Sequence, residues 1–104
     1  MSNSEAYCEF LNRNPPLQEG MAITVRQVID LIPCRINAGR SLAKVGLRRK
    51  RIDRLLSRKK ILNEELFRQA SILLAKLEKV VFENDQSART DVLLVVESLY
   101  PASE

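Results

Sequence analysis

The sequence predicts a small all-α domain of four to five helices, one of them long and amphipathic. Good helix formers (Leu, Arg, Lys, Glu and Ala) dominate the 104 residues. Three glycines, four prolines and 5% aromatic residues are too few for the tight turns and β-rich runs of a strand-built fold. An apolar fraction of 45% is enough for one core, so residues 1–104 are expected to form a single helical domain.

The first elements are expected to be short. Residues 1–21 combine a small apolar patch with two consecutive prolines, which predicts one or two helical turns and a loop within a partly flexible arm. Thr24 stands three residues before Gln27, the spacing of a capping box, and therefore predicts the start of a helix. Pro33 is expected to end that helix.

A basic segment, 35–60, follows. Ser41 is the expected cap of a short helix, and 48–60 is predicted to be a second helix. On this second helix Ile52, Leu55 and Leu56 share one face. Its cationic residues are predicted to lie on the opposite face.

The second half predicts one long and one short helix. Asn63 is a suitable cap for the helix 63–83, whose apolar residues recur every three or four positions over about five turns. This stripe is longer than a small core needs, so its second half is expected to form a homodimer seam, carried by Leu73, Leu77 and Val80. Within the segment 90–100 the run 92–96 is apolar almost all round, which predicts a buried helix because no second strand candidate is present.

The charge of the chain is strongly asymmetric. Eleven basic residues and one acidic residue lie within 35–60, whereas the rest of the chain holds six basic and twelve acidic residues. The positive charges of this segment repel one another unless a negatively charged group binds them. We expect duplex phosphates to be bound by Arg48, Arg49, Lys50, Arg51, Arg54 and Arg58. The alternative is a solvated face that neutralises the acidic remainder. Aromatic residues are missing from the block, which disfavours the base stacking of single-strand readers.

The sequence lacks the usual motifs of enzymes, metal sites and nucleotide-binding sites. The chain has no histidine, and its two cysteines lack a redox or zinc spacing, so they are expected to be small buried thiols. It shows neither a phosphate-binding nor a dinucleotide-binding glycine motif. We expect no enzymatic activity, cofactor, metal ion or small-molecule substrate. No membrane span or signal peptide is evident, so a cytoplasmic location is expected.

Residues 38–57 contain part of a helix-turn-helix pattern. That motif has a glycine in its turn, an apolar residue six positions later and another three beyond. Here Gly46, Ile52 and Leu55 take these positions. The small residue expected four positions before the glycine is replaced by Leu42.

A second pattern covers residues 36–74. It consists of Gly39, Leu42, Leu47, Ile52 and Leu55, then Glu65-Leu66-Phe67-Arg68 and Leu73-Leu74. In this spacing the segment resembles the AriR/YmgB and YcgZ group of small biofilm and two-component connector regulators. The resemblance implies a short all-helical dimer that regulates genes by contacting DNA or signalling proteins.

These observations predict a small DNA-associated transcriptional regulator that binds duplex DNA through its basic helix, as a homodimer. A helical adaptor or inhibitor that binds an acidic protein surface is the alternative. A third possibility is a structural oligomer in which the basic and acidic parts meet. Steep salt dependence would indicate phosphate contact, whereas protein contact also needs exposed apolar anchors near the basic face.

Overall fold

A computed structural model describes residues 3–101 of the chain, with side chains described from Glu5 onward. In that part the chain forms six helices and two short strands. In order these are α1 (Asn3–Arg13), β1 (Ala22–Thr24), α2 (Val25–Leu31), α3 (Ala38–Lys44), α4 (Arg49–Ser57), β2 (Lys59–Ile61), α5 (Glu64–Glu83) and α6 (Gln86–Leu99). The predicted helical class is therefore confirmed, but the expected number of helices and the expected absence of strands are wrong.

The two strands form an antiparallel ribbon in which Ala22 pairs with Ile61 and Thr24 with Lys59. Backbone bonds continue the pairing on both sides, from Gly20 N–H to the Leu62 carbonyl (2.7 Å) and from Val25 N–H to that of Arg58 (3.1 Å). The ribbon joins the start of α2 to the end of α4. It thereby ties together the two ends of the segment that contains α2, α3 and α4. Because β2 begins at Lys59, α4 ends at Ser57 and not at residue 60 as predicted.

The long helix α5 lies at the centre of the fold and packs against α1, α2, α3 and α6. Its apolar stripe is buried at Leu66, Phe67, Ala70, Leu73, Leu74 and Leu77. The helix α1 covers the first turn of α5, with the rings of Tyr7 and Phe10 centred 5.7 and 4.9 Å from that of Phe67. Three turns of α1 are thus ordered against the core, more than the one or two turns expected. The exposed position of Cys8 on α1 also corrects the expectation of two buried thiols.

The predicted caps of two helices are confirmed, whereas the predicted cap at Ser41 is wrong because Asn37 caps α3 and Ser41 lies inside that helix. Thr24 and Gln27 form a reciprocal capping box at α2, and the Asn63 side chain accepts a hydrogen bond from Leu66 N–H at α5. Each cap satisfies a backbone donor that has no partner within the helix.

The last helix begins earlier than expected and is buried on one face only. Asn84 adopts a left-handed conformation (φ 52°) that ends α5, and Asp85 caps α6 by accepting from Ala88 N–H. Val92 and Val96 face α5 and are buried, whereas Leu93 and Leu94 are 43% and 64% exposed. The expectation of an all-round buried helix is therefore wrong, because only α5 and its neighbours cover α6.

Candidate nucleic-acid interface

The helices α3 and α4 lie on either side of a turn formed by residues 45–48. Gly46 has a φ of 102°, a conformation that side chains other than glycine rarely adopt. Ile52 and Leu55, the two apolar positions that follow, are completely or almost completely buried. Leu42 is also completely buried, because α3 packs on α5 and this position points into the core. A large side chain is accommodated there in place of the small residue expected.

The open face of α4 is cationic. Ile52, Leu55 and Leu56 fix the buried face of the helix. At about 100° per residue, Lys50 and Arg54 point away from that face, and both are exposed. Among residues 3–101 neither side chain has an ion pair. These two cations are therefore available to a ligand.

Arg48 and Arg49 extend the cationic surface to the start of α4, where both are exposed. Arg49 Nε lies 3.5 Å from Asp53 Oδ1, one turn along the helix. A pair this exposed contributes about 0–1 kcal/mol, so a phosphate can compete for the guanidinium at little cost. On the preceding helix α3, Arg40 and Lys44 are exposed as well. They belong to the same basic segment but were not among the predicted site residues.

Arg51 and Arg58, the other two predicted phosphate contacts, do not lie on the open face of α4. Arg51 is only 29% exposed; its Nη2 donates to Glu97 Oε2 (3.1 Å) and to the Tyr100 carbonyl (3.3 Å). Arg58 is partly buried, with its guanidinium carbon 5.4 Å from the centre of the Tyr100 ring. Both arginines lie on the flank of α4 that meets the end of α6. Arg51 thus links α4 to the end of α6, and Lys50 and Arg54 occupy the outermost face of α4.

The side of α6 that faces this unit carries Arg89, Leu93 and Glu97, one turn apart. Arg89 Nη2 lies 3.4 Å from the position a Cβ would take at Gly46, and Glu97 pairs with Arg51. Leu93 stands between them, so an exposed leucine adjoins the turn and the basic helix. Sequence reasoning missed this neighbourhood because its two halves are more than 40 residues apart.

The residues predicted to form a dimer seam lie mostly inside one chain. Leu73 and Leu77 are completely buried, and α6 packs along this part of α5. Val80 is partly buried. In this conformation other residues of the same chain cover Leu73 and Leu77, so intramolecular packing accounts for this part of the stripe, and the dimer stays a prediction.

The comparisons with known proteins give no relative. No family model matches the chain, and no curated protein or solved structure matches it either. Among residues 3–101 no helix is long and apolar enough to cross a membrane, and no group of three or more potential ligands could hold a metal ion.

Proposed function

We propose that this protein is a small DNA-associated transcriptional regulator that binds the phosphates of duplex DNA through α4. The observation that carries the proposal is the position of Lys50 and Arg54 on the open face of the second helix after a glycine turn. In a helix-turn-helix protein the second helix enters the major groove while the first crosses the backbone. The exposed Arg40 and Lys44 on α3 suit that second role.

The test compares two double variants of equal charge change. The first variant, Lys50→Ala with Arg54→Ala, removes both positive charges from the open face of α4. The control variant, Arg13→Ala with Lys79→Ala, removes two exposed positive charges from α1 and α5. Binding to a duplex oligonucleotide is measured by fluorescence anisotropy across a salt series. Each lost phosphate contact lowers the log–log salt slope by about 0.9, so the first variant should lose roughly 1.8 and the second almost nothing.

Both variants should keep the helix content of the wild type by circular dichroism, since all four side chains are exposed. Equal slopes for the two variants would contradict the proposal, and so would a wild type without affinity at low salt.

Dimerisation remains part of the proposal, because helix-turn-helix regulators commonly read two half-sites as a dimer. Light scattering over a concentration series measures it directly. A monomer at all concentrations, with and without DNA, would remove the dimer from the proposal without affecting the phosphate contacts.

The position of Leu93 favours a second candidate, an adaptor that binds an acidic protein surface. The core of a protein interface is apolar and its rim polar, and Leu93 is an exposed apolar residue one turn from Glu97, which pairs with Arg51 of the basic helix. A pull-down from the host with and without nuclease distinguishes the two. A partner that survives nuclease but is lost in Leu93→Ser favours the adaptor, whereas a partner lost with nuclease favours DNA.

A further inference from the structure

A shallow cleft of about 340 Å³ lies at the carboxyl end of α4. Its lining consists of Arg54, Ser57, Arg58, Lys59 and Tyr100. The last turn of α4, the first residue of β2 and the residue after α6 thus meet at one point. Three of the five lining residues are cationic and none is acidic, and the volume is well above the roughly 10–15 Å³ that one water molecule needs on the same measure. The cleft is therefore large enough for a phosphate group and has the charge to hold it.

Tyr100 gives the cleft a fixed wall. Its N–H donates to the Val96 carbonyl (2.8 Å), and the preceding Leu99 is buried in the core, so its backbone is anchored. The guanidinium carbon of Arg58 lies 5.4 Å from the ring centre, and that of Arg51 lies 5.9 Å from it. An arginine held against an aromatic ring loses less freedom when it binds an anion.

The dipole of α4 opposes an anion at this end, but its effect is small. The carboxyl end of a helix acts like about −0.5 charge, whereas the exposed Arg54 and Lys59 alone bring two full positive charges to the cleft. Two of the terminal carbonyls also have donors already. Ser57 Oγ donates to the Arg54 carbonyl (3.4 Å), and Arg58 N–H donates to the Leu55 carbonyl (3.3 Å). The balance at the cleft therefore favours an anion.

Arg54 belongs both to the cleft and to the open face of α4, so the two cationic surfaces are continuous. The nine residues of α4 span roughly 13 Å at about 1.5 Å each, which separates the cleft from the start of the helix. In homeodomains the carboxyl end of the helix that lies in the major groove contacts the DNA backbone. If α4 lies in the groove in the same way, the cleft faces the sugar–phosphate backbone.

We propose that this cleft binds one phosphate group, a backbone phosphate at the edge of the duplex contacted by α4, and that Tyr100 is the positioning residue for Arg58. The assignment of the phosphate to DNA rests on the proposed function. Lys59 and Arg58 contact the phosphate directly, and Arg54 bridges the cleft and the groove.

The experiment uses the full chain and the same duplex and salt series. Lys59→Ala should lower the salt slope by about 0.9, whereas the matched Lys79→Ala should leave it unchanged. Tyr100→Ala should weaken binding roughly two- to fivefold, the loss of one exposed cation–π contact, and Tyr100→Phe should bind like the wild type. Lys59 is exposed, so its variant stays informative even if Tyr100→Ala unfolds the protein.

Failure of the cleft and failure of the proposed function give different results. A wild type that binds duplex DNA, with equal slopes for Lys59→Ala and Lys79→Ala, overturns the cleft and leaves the function standing. A wild type without DNA affinity overturns the function, and a titration with inorganic phosphate then decides about the cleft. Shifts of the Tyr100 ring signals by NMR that Lys59→Ala abolishes support a phosphate site; unchanged signals overturn it.

Discussion

Replacing Tyr7 with Phe should stabilise the protein. The Tyr7 side chain is buried on α1 against Phe67, and among residues 3–101 its hydroxyl has no hydrogen-bond partner. A buried polar group without a partner costs about 1–3 kcal/mol of desolvation, while the ring contacts are the same in Phe. At the lower end of that range the free energy of unfolding rises by about 1 kcal/mol. For a domain of this size the melting temperature then rises by roughly 4 °C.

The same hydroxyl makes the wild type sensitive to alkali. Burial raises the pKa of Tyr7 above its ordinary value near 10, and the negative charge of Glu19 acts in the same direction. Between the ordinary and the raised pKa the folded state holds a proton that the unfolded state has lost. This contribution to stability is complete below pH 10 and is lost as the pH rises through the folded pKa. Tyr7→Phe lacks it, so the advantage of the variant should widen above pH 10.

Thermal unfolding followed by circular dichroism at pH 7 and over pH 9–11 measures both effects. A melting temperature of Tyr7→Phe below that of the wild type would show that the hydroxyl makes a favourable bond, and would refute the reasoning. A constant difference across the alkaline series would refute the pKa argument alone.

Two further predictions concern the core and a helix end. Leu77 is completely buried in α5, so Leu77→Ala should lower the free energy of unfolding by about 2–5 kcal/mol, while Leu94→Ala on the exposed face of α6 should cost less than about 1 kcal/mol by denaturant titration. Similar losses for the two leucines would contradict the assignment of Leu77 to the core. Asn63→Ala removes the cap of α5 and should cost about 1 kcal/mol, most of which Asn63→Asp should restore, since its carboxylate can accept from Leu66 N–H. An Asn63→Ala variant as stable as the wild type would show that the cap contributes nothing.

Local signals predicted the helices best. The capping spacing at Thr24, the cap at Asn63 and the stripe of α5 each depend on residues within a few positions of one another, and each is found in the structure. The sequence predicts the start of α6 near Thr90, which is too late, because Asp85 is an equally good cap and caps the helix in the structure. The sequence alone does not show which of two nearby residues caps the helix. Asp85 and Thr90 each carry a side-chain oxygen that can accept a hydrogen bond from the backbone N–H three residues later.

The ribbon of β1 and β2 could not be predicted from local signals. Strands of three residues are too short to show an alternating pattern, and their pairing joins positions more than 30 residues apart. For the same reason the sequence did not reveal what Arg51 and Arg58 contact. A helical wheel places Lys50 and Arg54 farthest from Ile52 and Arg51 and Arg58 nearer the flanks, but it does not show that the chain returns at Tyr100 to cover one flank.

The structure also bears on the alternative that the acidic remainder neutralises the basic segment. Ion pairs with that remainder do reach the segment, from Glu78 to Arg35 and from Glu97 to Arg51. Both lie on sides of the segment that pack against α5 or α6. Among residues 3–101 no such pair reaches Lys50 or Arg54, which are exposed on the side of α4 opposite its buried face. Neutralisation within one chain thus reaches Arg51 on the flank and leaves Lys50 and Arg54 on the outer face positive, which is the face that our proposed function assigns to phosphate.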